Sequence, residues 1–166
     1  MTYLPHTPRS FREIVLADLL RAQRLITRIQ DEIDPQFRIA SPEGDWWIGM
    51  TLADDPHERA RQMTLVSRFM QWKLSPAFTL ASEIEVPDAV YCIGVSHREC
   101  CAVMSIITRN PIKFAAEQWL TPEQIGHEYP RMLPKGAASL DARAIAELEE
   151  WFGPEGKFPA VRIGNE

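Results

Sequence analysis

FTLASEIEVPDAVYCIGVSHRECCAVMSIIT, residues 78–108, is the stretch on which the fold turns. From 78 to 86 it alternates, with Phe78, Leu80, Ser82, Ile84 and Val86 on one side and Thr79, Ala81, Glu83 and Glu85 on the other. Successive side chains of a strand point to opposite faces, so this segment predicts a strand with one apolar and one wet side. Ala89–Ser96 and Cys100–Thr108 are nearly continuous in apolar and β-branched residues, the composition of strands buried on both faces. Pro87-Asp88 and the polar turn His97-Arg98-Glu99 separate the segments. Together they predict the centre of an antiparallel sheet.

Upstream, Ser10 with Glu13 has the form of a capping box, and Thr7-Pro8 offers an alternative cap. At about 100° per residue, Phe11, Val15, Leu19, Ala22, Ile26, Ile29 and Ile33 fall on one stripe, and Pro35 ends the run. Ile14, Leu16 and Leu25 widen that stripe, so the long helix is expected to touch two elements or a second subunit. Segments 37–40 and 46–52 suit strands, and Ser41-Pro42-Glu43-Gly44-Asp45 between them predicts a hairpin turn. Asp55, Pro56 and Glu58 then open a helix that runs to about Leu74, before Pro76. Its expected inner face is Ala60, Met63, Val66, Met70 and Leu74, with Leu65 and Trp72 projecting outward among Glu58, Arg61 and Arg68.

Downstream, 112–120 predicts a further strand, and Thr121-Pro122 with Gln124 a helix start. A connector over 129–139 holds Pro130, Pro134 and Gly136, and a helix over 140–152 is closed by Gly153-Pro154. Residues 158–163 are expected to dock in extended form. The order reads α-ββ-α-βββ(β)-α-α. It predicts one α+β domain over residues 1–166, with extended tails at 1–9 and 154–166 and an antiparallel sheet of five or six strands packed by the long N-terminal helix, the middle helix and C-terminal helices. In topology alone this order resembles two architectures. One is the roadblock and profilin-type domain, which implies dimerisation or scaffolding. The other is the NTF2-like cone, which implies an apolar pocket for a small ligand or a catalytic acid and base.

Composition narrows the setting. Of 166 residues, 45% are hydrophobic and 25% charged, the balance of a chain able to bury a core without staples. A net charge of −5 argues against broad attraction to nucleic acid or anionic membrane. The three cysteines lie together in one apolar stretch rather than among loops, which predicts a reducing, cytoplasmic compartment. Residues 1–12 carry no apolar signal core, and no run approaches the ~18 apolar residues of a membrane helix.

None of the polar clusters has a spacing that names a reaction. Asp54-Asp55-Pro56-His57-Glu58 could supply an acid and a base, but Asp55 and Glu58 are accounted for as capping carboxylates, leaving His57 alone. His97 beside Cys100 and Cys101 suggests a thiol with a nearby imidazole, but the same cysteines are better explained as small hydrophobes in strands. Zinc-ligand spacings, phosphate-cradling glycine loops and the nucleophile elbow are missing from the sequence, so no metal and no cofactor is predicted. Arg21, Arg24 and Arg28 share one helix face that could meet an acidic partner, although three arginines make a small nucleic-acid footprint. Trp46-Trp47 places one indole inward and one outward, and Trp72 and Leu65 add a second outward spot of the kind that anchors interfaces.

The leading expectation is a non-enzymatic protein-interaction or regulatory module, self-associating as a homodimer, that uses the long helix or a surface of Trp47, Leu65 and Trp72. The second is a cone-shaped ligand-binding or hydrolase/isomerase-like domain in which His57, Glu83 or Glu85 reaches a pocket. The third is an inhibitor or accessory factor that binds the protein surfaces of a nucleic-acid-processing machine.

Overall fold

The computed structural model describes residues 10–135 and 139–163; the alternative cap Thr7-Pro8, the tail 1–9 and Gly136 fall outside them. The chain is α+β. Helix α1 (Phe11–Ile29) is followed by β1 (Gln36–Ile39), β2 (Trp46–Gly49), α2 (Pro56–Trp72), β3 (Ala77–Ile84), β4 (Ala89–Ser96) and β5 (Cys100–Thr108). Then come β6 (Lys113–Phe114), β7 (Gln118–Trp119), the short α3 (Pro122–Ile125), a 3-10 turn at Pro130–Met132, α4 (Ala142–Phe152) and β8 (Val161–Arg162). The pairings are antiparallel and run β6-β5-β4-β3-β1-β2-β8, with β7 also on β5. Among the described residues no helix is long and apolar enough to cross a membrane.

Helices cover both faces. On one, α1 lies across β3, β4 and β5, and Val15, Leu19, Ala22 and Ile26 meet Ala81, Val90, Cys92 and Val103. The approach is close at Gly94, where a Cβ would stand 2.3 Å from Val15 Cγ2 and 3.0 Å from the Phe11 ring. On the other face α2 and α4 pack on Phe37, Ile39, Ile48, Phe78, Leu80 and Ile93. The outermost strands, β6 and β7 at one margin of the sheet and β8 at the other, are only two residues long.

Several details depart from the sequence reading. Helix α1 stops at Ile29, because Gln30 turns left-handed (φ 57); Ile29 is exposed, while Ile33 still reaches the core from the loop. Strand β3 is not half wet, since α1 buries Thr79 and Ala81 as thoroughly as the opposite face buries Phe78 and Leu80. The inner face of α2 is Gln62, Leu65, Val66, Phe69 and Met70, so Leu65 is core and Ala60 and Leu74 face outward. The rotation follows from Gln62, whose amide accepts from Ala53 N at 2.8 Å and donates to Thr51 O at 3.0 Å, tying the preceding loop to the helix. The strand expected over 112–120 divides into β6 and β7. Residues 158–163 join the fold, Phe158 and Ala160 packing on the core and β8 pairing with β2.

Candidate functional site

Register places Trp47, Arg38, Thr79, Gly94 and Cys101 side by side across five strands, all on the face that carries α1. Helix α1 seats itself on this row at Gly94. The next inward position along the helix, after Val15, is Asp18, and it is 2% exposed. Thr79 Oγ1 donates to Asp18 Oδ2 at 2.7 Å, and Arg38 Nε stands 3.5 Å from the same oxygen. Arg38 Nη1 also faces Asp45 at 3.5 Å. Asp18 Oδ1 is buried without a hydrogen-bond partner among the described residues. Burial pushes the Asp18 pKa up, against the opposing pull of Arg38, Thr79 and Arg21.

One turn further along α1, Arg21 lies over the Trp47 ring at 4.5 Å from its centroid, and Arg38 approaches the same ring at 5.3 Å. Two guanidinium groups thus share one half-buried indole, and one of them is held from below by a buried carboxylate. Planar guanidinium groups can lie over aromatic faces while their N–H donors reach carboxylates, as those of Arg38 already do towards Asp18 and Asp45. Arg24 and Arg28 continue the cationic side of α1 and are exposed. The sequence reading named Arg21 and Trp47 but missed Asp18 and Arg38. The signal was a charged residue inside the apolar stripe of α1, at the spacing of Val15, Leu19 and Ala22.

The remaining candidates are dispersed. Trp72 packs partly buried on the opposite face from Trp47, and Leu65 is buried in the core, so the three form no common surface. His57 is exposed in the first turn of α2, beyond the N-cap Asp55, whose Oδ2 accepts from Glu58 N at 3.0 Å. His97 and Cys100 both line a cleft of about 340 Å³, together with His127, Arg131 and Lys135. Burial raises the pKa of Cys100, and raises Cys101 to about 11, the reverse of what an activated thiolate requires. Glu83 and Glu85 line a cleft of about 640 Å³ that His57 does not enter. There Glu83 is already engaged, accepting from Ile33 N at 2.7 Å and from Arg109 Nη2 at 3.0 Å, while Arg109 also binds Asp88 through two nitrogens. Among the described residues no group of three His, Cys, Asp or Glu side chains is placed to hold a metal ion. No family model, curated protein or solved structure matches this chain, so the reading of the site rests on its own geometry.

Proposed function

We propose that this chain is a non-enzymatic interaction module that docks a carboxylate-bearing protein surface onto the Arg21–Trp47–Arg38 face. The observation that carries the reading is the stacking of Arg21 and Arg38 on Trp47 above the buried Asp18. Arg and Trp are the residue types that concentrate binding energy at interfaces, and side chains already held in place lose little entropy on association. A second copy of the chain, with its net charge of −5, is one surface of the required chemistry, and self-association is the first form of the reading to test.

Sedimentation velocity from about 1 to 100 µM, a range spanning ordinary protein affinities, is expected to show a dimer that Trp47→Ala and Arg21→Glu weaken. Wild-type protein that stays monomeric across that range removes self-association. A glutamate-rich peptide is then expected to bind wild type and to lose about tenfold affinity in Arg21→Ala. Equal binding by both proteins overturns the reading, and tighter binding of a single-stranded oligonucleotide by the same face would replace it. The ligand-binding alternative keeps one supporting observation, the cleft lined by Glu83, Glu85 and Arg109. It ranks second because both oxygens of Glu83 are occupied.

A further inference from the structure

A second meeting of cation and aromatic ring stands on the other side of the sheet. Trp46 at the start of β2, with Phe69 and Trp72 of α2, walls a cleft of about 810 Å³. The Phe69 ring is edge-on to both indoles, 5.9 Å from each. Into this box points the protein's own Lys73, its Nζ 3.8 Å from the Trp72 centroid, 4.7 Å from Trp46 and 5.7 Å from Phe69. The end of α2 fixes that entry. Leu74 turns left-handed at φ 55, Ser75 N donates to Met70 O at 2.9 Å and Leu74 N to Gln71 O at 3.2 Å, a closing motif that leaves Lys73 as the cap.

Three rings around one ammonium attract it through their quadrupoles. The cleft is also negative beyond what one lysine balances, for Glu149, Glu150 and Glu155 line it. Lys73 sits on a flexible four-carbon stem and is held by no ion pair among the described residues. Burial lowers its pKa, with Glu43 and Glu149 opposing and Arg162 adding to the effect.

We propose that this cleft binds the lysine side chains of a basic partner peptide, and that Lys73 occupies the ammonium position while the peptide is absent. A peptide, rather than a lone small cation, suits a cleft with three carboxylates along its wall. The site is independent of the Arg21–Trp47 face, from which the sheet separates it, and it selects the opposite charge.

The test titrates the full chain with an acetylated peptide carrying two lysines and follows the indole N–H resonances of Trp46 and Trp72. Lys73→Ala is expected to bind about tenfold more tightly than wild type, because the tethered competitor is gone, and Lys73→Arg to bind as wild type does. Lys73→Met, which keeps the aliphatic stem on the rings, replaces alanine if that variant folds poorly. Equal affinity of wild type and both neutral variants overturns the proposal. So does an equal response to the same peptide with norleucine in place of lysine.

Discussion

Trp46 and Trp47 are consecutive in the chain, and the two rows of side chains they begin differ in kind. Trp47, Arg38, Thr79, Gly94 and Cys101 lie under α1 and bury a carboxylate; Trp46, Ile39, Phe78, Val95 and Cys100 lie under α2 and α4 and bury apolar groups. Each row ends in an indole with a cation over it, but on one side these are Arg21 and the Asp18-paired Arg38, and on the other a lysine with no ion pair among the described residues. The strand's period of two is what allows this. Groups suited to acidic and to basic ligands sit on adjacent residues without neutralising one another, because the sheet and its packed helices stand between them.

The comparison breaks hardest on the apolar side. Phe69 is buried among Trp46, Trp72 and Phe152, whose ring centroids lie 5.9, 5.9 and 5.3 Å away. Phe69→Ala is expected to cost about 3–5 kcal/mol, read from urea unfolding, and to collapse the Lys73 cleft. On the α1 side the corresponding weak point is space. Gly94→Ala drives a methyl into Val15 and the Phe11 ring and is expected to cost about 1–3 kcal/mol, with the Arg21–Trp47 contact disturbed as α1 lifts.

A smaller effect isolates the buried charge. Because burial raises the Asp18 pKa in the folded chain, the folded state holds that proton more tightly than the unfolded one. The stabilisation is therefore complete below the ordinary carboxylate value of about 3.9 and is lost as pH rises through the raised folded value. Wild type should gain stability relative to Asp18→Asn as pH falls from about 8 towards about 4. Carboxylates common to both, such as Asp88, cancel in the difference, and a flat difference would show Asp18 to be fully compensated by Arg38 and Thr79. The smallest change has the opposite sign. Leu74 is 65% exposed in a left-handed conformation, so Leu74→Gly is expected to stabilise by about 0.5–1 kcal/mol while leaving Lys73 in place.

The sheet was legible because its evidence is local. Ala89–Ser96 and Cys100–Thr108 have the same bounds in structure and sequence reading, since a run of β-branched and apolar residues between turns specifies a buried strand almost alone. Helix α2 was harder. Leu65 beside Val66 and Phe69 beside Met70 make two phases of the helix nearly equal in apolar content, and the choice falls to Gln62, a polar residue buried by hydrogen bonds to a loop. The sites were least legible. Asp18 meets Thr79 across 61 positions, and Lys73 meets Trp46 only once β2 and the end of α2 are side by side. Neither contact has a spacing to read.

The short outer strands have a consequence for crowding. At one margin β5 is covered by β6 and β7, at the other β2 by β8, each two residues long, with Lys113 and Arg162 among them. Brief, charged margins offer little template for another chain's backbone, so the long apolar strands at the centre are guarded against edge-to-edge aggregation. Growth of the sheet by strand addition is thereby discouraged, and encounters with other molecules are directed to its faces, where the two indoles stand.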